Sequence, residues 1–225
     1  MSIFDFLDEH KIAYKNKDLI IQACTHSSYV NEHKKVTGDN ERLEFLGDSV
    51  LQLYTSAHLY MMDPPLKEGL MSMRRSNLVS EKPLAAVVRE FGLNEFLLLG
   101  AGEEKTGGRD RDSIISDMFE ALVGAVYLDS GFEGACKLLD VLMLKHIESI
   151  DESIFDYKTR FQEYIQADSR RSISYETTSV TGSHNNPFFE VEVKVDGLVF
   201  GKGSGHSKKD AQKAAAKDAL EKLAK

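Results

Sequence analysis

The stretch Asn40-Glu41-Arg42-Leu43-Glu44-Phe45-Leu46-Gly47-Asp48-Ser49-Val50-Leu51 decides how this chain is read. Its apolar residues recur at helical spacing, and the periodic segment runs on to about Met62, where Asp63-Pro64-Pro65 stops it. Asn40 is placed to cap the first turn. Glu41, Glu44 and Asp48 stand at i, i+3 and i+7, which puts all three on one face of the helix. Like charges at this spacing oppose one another by roughly 0.2–0.5 kcal/mol per pair even when exposed. Here the neighbours are Leu43, Phe45, Leu46, Val50, Leu51 and Leu53, and a carboxylate cluster in apolar surroundings costs more still unless something positive neutralises it.

A second pair, Asp117 and Glu120, repeats the i, i+3 spacing on another apolar helix, among Ile114, Ile115, Phe119, Leu122 and Val123. Two helices with inward-facing acids make an oxygen-rich cage. Hard divalent cations take such ligands, and Mg²⁺ keeps waters for substrate phosphates. Such an ion activates water near neutral pH and stabilises charge on a phosphate. A single acidic pair of this kind is ordinarily a solvated helix face; two clusters on apolar helices argue for a site. Three other chemistries are excluded. Neither cluster has the Glu-x-x-His of di-iron bundles. There is no phosphate-binding G-x-x-x-x-G-K-[ST] loop, hence no nucleotide cofactor of that type, and no G-x-S-x-G nucleophile elbow.

Outward from these helices, residues 3–12, 18–32, 67–80, 81–91, 111–129 and 131–148 also read as helical, 33–39 reads as a loop, and glycine-rich, charged 100–112 reads as a mobile loop. No segment before residue 150 alternates as a strand does. The tail differs. Residues 156–167 are helical, 173–178, 188–195 and 198–202 have strand character, and Asp196-Gly197 signals a tight hairpin. Alanine-rich 207–223 is a helix with Ser207 as its cap. The expected organisation is an all-α domain over 1–150 and an α+β domain of order α-β-β-β-α over 156–225, linked near 149–155.

The chain has 225 residues, 42% hydrophobic and 28% charged, an ordinary globular composition. No apolar run is long enough to span a membrane. The net charge of −8 is unevenly divided. Residues 156–225 hold 12 Lys+Arg against 10 Asp+Glu, a net of +2, and the remainder a net of −10. Two modules with different partners are implied. Cys24 and Cys136 stand far apart, which fits a reducing cytoplasm rather than a disulfide scaffold, and both are expected as buried thiols. His26 reads as a hydrogen-bonded structural histidine.

The Asn40–Leu51 stretch resembles the signature of bacterial ribonuclease III. Thr25-His26-Ser27-Ser28, Glu68-Gly69 with Met71 in place of the usual leucine, Gly102–Arg109 and Asp117–Ala125 resemble further motifs of that family, in order. The tail is similar to a double-stranded RNA-binding domain, with Gln162-Glu163-Tyr164 in its first helix and Lys208-Lys209-Asp210-Ala211 opening its second. The resemblance implies that Glu44, Asp117 and Glu120 hold a catalytic Mg²⁺, with Mn²⁺ able to substitute, and that Asp48 helps orient the attacking water. Glu41 and Glu68 are supporting acids. It implies a homodimer that cuts double-stranded RNA to 5′-phosphate and 3′-hydroxyl ends with short 3′ overhangs, in the processing of ribosomal RNA precursors and some messenger RNAs. For the dimer interface, Phe45-Leu46-Ser49 and Leu122-Val123-Ala125-Val126 are candidates, and periodicity alone does not separate interface from core.

Lys208 and Lys209 open a helix, where the dipole disfavours cations by about 0.3–1 kcal/mol. Phosphates bound at that helix end would reverse the penalty, and Lys213 extends the face by a turn. A-form RNA admits contacts to phosphates and minor-groove 2′-hydroxyls. By the resemblance, Gln162, Glu163, Gln166 and His184 make those minor-groove contacts. Two other readings use the same residues: a non-catalytic RNA-binding protein with a degenerate nuclease domain, and a phosphohydrolase of small nucleotides. The intact acids speak against the first and the RNA-binding tail against the second.

Overall fold

A computed structural model describes residues 2–36, 38–148, 157–166, 171–183 and 186–223, without the side chains of residues 160, 163 and 166. The chain divides into two compact units, Met1–Leu66 with Met71–Ser149, and Lys67–Leu70 with Ile150–Lys225.

The described elements up to residue 148 are helical: α1 (Ile3–Glu9), α2 (Lys17–Ala23), α3 (Ser27–Glu32), α4 (Glu41–Tyr60), α5 (Glu68–Leu78), α6 (Glu81–Glu90), α7 (Ala101–Lys105), α8 (Asp112–Leu142) and α9 (Leu144–Glu148), with short 3₁₀ turns at Leu93–Phe96 and Gly108–Asp110. The expected helix over 18–32 is two helices. Cys24–His26 leaves the helical path between them, and Thr25 bridges Leu98 in parallel. The second half of the expected pair 111–129 and 131–148 is joined to the first, and the backbone breaks helical geometry only at Gly131 (φ 72°, ψ −174°).

Asn40 does not cap α4 with its side chain. Asp39 Oδ1 instead accepts the Glu41 amide at 3.3 Å. The Asn40 amide donates to the Thr25 carbonyl at 2.9 Å, tying the start of α4 to the α2–α3 turn. The segment 100–112 is not the open loop its composition predicts. Arg109 forks onto Glu104 (2.9 and 2.6 Å) and donates to the Asn94 and Glu95 carbonyls, and Arg111 pairs with Glu103 at 2.7 Å. Glycines and charges here serve a tight, cross-linked turn rather than a solvated one.

The core of this unit lies between α4 and α8. Leu122, Val123, Ala125 and Val126 are wholly buried in it, so this expected interface candidate is core. Cys24 is buried as expected, whereas Cys136 is only half-buried.

In the second unit α10 (Tyr157–Gln166) and α11 (Lys208–Leu223) accompany a sheet ordered β1 (Ile173–Ser183), β2 (Asn186–Val195), β3 (Leu198–Gly205), antiparallel throughout. β1 runs five residues past its expected end because Ser179–Ser183 pair with Asn186–Glu190 beyond an irregularity at Thr177/Ser179. Asp196 and Gly197 both take positive φ (50° and 82°), as a primed two-residue hairpin requires. Val191, Val193 and Val195 point inward. Alanines line the inner face of α11 because the sheet comes too close for anything larger. A Cβ at Gly201 would lie 2.3 Å from the Ala215 carbonyl, and one at Gly203 2.1 Å from the Ala215 amide.

Candidate active site

The two acidic helices meet through glycine. A Cβ on Gly47 of α4 would stand 1.7 Å from the Glu120 carbonyl oxygen, and one on Gly124 of α8 would stand 2.2 Å from the Leu43 carbonyl oxygen. Each helix therefore lays a bare turn against the other's backbone. Glu44 and Asp48 lie within a turn of Gly47, and Glu120 and Asp117 lie one and two turns before Gly124, so this close crossing brings the acids together.

Glu44, Asp117 and Glu120 each offer a carboxylate oxygen, and the three oxygens lie within 4.8 Å of one another. All three side chains are half-buried. Burial is the first cause that raises their pKa values, and mutual repulsion adds to it. Glu120 is pushed up to about 8 by burial and by Asp48, Glu44 and Asp117. Asp117 rises to about 6 through burial, Glu44 and Glu81. Glu44 rises through burial, Glu41 and Asp48. Among the described residues none of the three pairs with a lysine or arginine. Half-buried carboxylates that lack a protein cation and crowd to ion-sharing distance form a donor set that suits a hard divalent cation.

Asp48 stands apart from this triad, close enough to raise both Glu44 and Glu120. Gln52, one turn on, donates from Nε2 to both Asp48 oxygens at 2.9 and 2.8 Å. Glu41 is exposed in the first turn of α4, and Glu68 is exposed in the first turn of α5; neither belongs to the triad. Two contributors escaped the sequence reading. Glu81, at the start of α6, adds its charge to Asp117, and nothing in its local sequence marks it. For Gln52 the one local signal is its i+4 spacing from Asp48, which puts the two side chains on one helix face. His26 is structural: its Nδ1 accepts the Ser28 amide at 3.2 Å and lies 2.8 Å from Ser28 Oγ, at the start of α3.

In the second unit Lys208 and Lys209 are exposed at the start of α11, and Lys213 is half-buried one turn on. Ser207 Oγ accepts the Asp210 amide at 3.1 Å, so Ser207 is the cap the sequence predicts. Gln162 is exposed on α10 beside Lys158 and Tyr175. Glu163 and Gln166 lie on the same helix, and His184 lies outside the described residues.

A family model for ribonuclease-III-like domains matches residues 16–147, and one for the double-stranded RNA binding motif matches residues 157–223. The chain is thus a nuclease-type helical domain followed by an RNA-binding domain. Curated relatives called Ribonuclease 3 include those of Bacillus licheniformis, 43% identical over 98% of this chain and 89% of that protein, and Caldanaerobacter subterraneus, 45% identical over 96% of each. Two structures of the nuclease domain of the Campylobacter jejuni protein superpose with TM-scores of 0.59 and 0.58 at 38% identity, covering 66% and 64% of this chain and 98% and 97% of theirs. The chain belongs to the ribonuclease III family.

Proposed function

We propose that this chain hydrolyses phosphodiesters within double-stranded RNA at the Glu44–Asp117–Glu120 triad, using Mg²⁺, with Mn²⁺ able to replace it. The family is metal-dependent, and its members act as endoribonucleases on duplex RNA. The observation that carries the reading is the convergence of three half-buried carboxylates that nothing else neutralises among the described residues. Glu44, Asp117 and Glu120 would hold the cation, which when bound supplies Lewis-acid stabilisation of charge on the scissile phosphate.

Asp48 lies beside the triad, held by Gln52, where it accepts a hydrogen bond or proton from the attacking water. Cleavage of the bond to the 3′ oxygen leaves a 5′-phosphate and a 3′-hydroxyl. Glu41 and Glu68 serve as outer acids. Lys208, Lys209 and Lys213 take phosphates across the major groove, and Gln162, Glu163, Gln166 and His184 read the minor groove, where 2′-hydroxyls distinguish RNA from DNA. The domains are assigned as 1–150 and 156–225. Ribosomal RNA precursors and some messenger RNAs in the cytoplasm are the expected substrates. Among the described residues no helix is long and apolar enough to cross a membrane.

The working form is a homodimer. Phe45 is 80% and Leu53 57% exposed on α4, with exposed Ser49 between them, an apolar stripe bordering the acids that a monomer leaves in water. One of the Campylobacter jejuni structures concerns a region involved in dimer formation of that nuclease domain. Two sites, one per subunit, would cut both strands and leave short 3′ overhangs.

A gel assay on a long RNA duplex tests the reading. Wild-type protein cuts with Mg²⁺ and binds without cutting in Ca²⁺, and Glu120→Gln binds without cutting in either. A duplex shifted but uncut in every lane would make this a binding protein.

A further inference from the structure

Resting on the nuclease reading above, we infer that Gln52 is a positioning residue for the reaction, which holds the Asp48 carboxylate in one orientation beside the triad by donating to both of its oxygens. An ordinary i, i+4 pair on a helix surface contributes little and leaves the carboxylate free to turn. This pair is different in three respects. Both Asp48 oxygens are engaged, at 2.9 and 2.8 Å. Both side chains are half-buried, so water competes less for them. Asp48 also sits close enough to Glu44 and Glu120 to interact electrostatically with both, so its orientation bears directly on the cluster. Without those two hydrogen bonds a half-buried carboxylate at the edge of the cluster is free to rotate, and the place offered to the attacking water is no longer fixed.

Gln52 suits the role because its amide donates two protons without adding charge. A lysine there would also orient Asp48, but it would neutralise the acid and compete with the cation for the site's negative field. A carboxylate has about four lone-pair positions, so two remain for water after Gln52 has taken its share. For this role Gln52 needs no contact with substrate or cation. It acts through Asp48, which explains why nothing in its own chemistry marks it as functional.

Gln52→Leu tests this, since leucine keeps the bulk and the helix propensity and removes the donor. In Mg²⁺ the turnover rate on a long RNA duplex falls about 10- to 100-fold, the range for residues that orient groups at a metal site. KM, duplex binding in Ca²⁺ and the melting temperature stay as in wild type. In an Asp48→Asn background, Gln52→Leu brings no further loss, because the carboxylate it holds is already gone. A second readout needs no turnover. In the metal-free protein the Gln52 side-chain amide resonance, assigned by its disappearance in Gln52→Leu, moves on Asp48→Asn.

Equal turnover in wild type and Gln52→Leu overturns the inference. So does a multiplicative loss in the double variant, or an amide resonance indifferent to Asp48. A wild-type protein that does not cut at all sinks the nuclease reading instead, and the resonance still decides whether Gln52 holds Asp48.

Discussion

Replacing Gly47 by alanine adds one methyl group where the helices carrying the acids touch. That methyl would lie 1.7 Å from the Glu120 carbonyl oxygen, 2.6 Å from its carbon and 2.8 Å from the Gly124 amide. All three obstacles are backbone, so no side chain can swing aside. Ordinary contact begins near 3.4 Å, so α4 and α8 must part by roughly 1.7 Å at this turn. The triad spans the same turn, and its oxygens, within 4.8 Å of one another, would open by a comparable amount.

Overpacking of this kind costs about 1–3 kcal/mol or more, against about 1 kcal/mol that alanine gains over glycine in a helix. Backbone obstacles put the cost at the upper end of that range, so the net loss is about 2 kcal/mol, which lowers the melting temperature by roughly 4–8 °C in a domain of this size. Gly102→Ala on α7 is the matched control, since a Cβ there meets nothing within 4 Å and should cost nothing. Urea melts, duplex cleavage and Mg²⁺ calorimetry on both variants make the comparison. The reasoning is refuted if Gly47→Ala melts and cuts like Gly102→Ala.

Other outcomes follow from the same geometry. The contribution of the acidic cluster to the stability of the metal-free protein falls as pH rises. Glu120, at about 8 folded against an ordinary 4.5, and Asp117, at about 6 against 3.8, keep protons that the unfolded chain gives up, so rising pH through that window favours unfolding. The urea midpoint of wild type in EDTA should fall relative to that of Glu120→Gln as pH rises from about 5 to about 8; a constant difference between the two across this range would contradict the burial argument. Lys208→Ala and Lys209→Ala should each weaken duplex binding regardless of sequence and reduce the salt slope of log K by about 1, measured by filter binding in Ca²⁺. Phe45→Glu should leave a monomer by sedimentation velocity, and an intact dimer would place the interface elsewhere.

Much of this was legible because periodicity and charge are local. The spacing of Glu41, Glu44 and Asp48 announced a shared helix face, and Asp117 with Glu120 announced its counterpart. Asp196-Gly197 marked the hairpin because positive φ favours those residue types. What lay hidden depended on contacts between distant segments. The glycine crossing is such a case: Gly47 alone reads as a weak spot in a helix, and only Gly124 opposite gives it meaning. Phe45 and Val123 both looked apolar on a helix, yet one is exposed and the other is core, a difference set by which neighbours each helix meets. Arg109 and Arg111 have the composition of loop charges, and only the fold sets Glu104 and Glu103 beside them. Asn40 has the right type for a cap, but its backbone is drawn to Thr25 instead, and Asp39 takes the part.

The central claim is that Glu44, Asp117 and Glu120 hold the divalent cation. Crystals of the protein soaked in Mn²⁺ test it most directly, through the anomalous signal of the ion. The account predicts a peak within coordination distance of all three carboxylates, lost in Glu120→Gln. A peak bound elsewhere, with none between these acids in protein that cuts RNA, would contradict it.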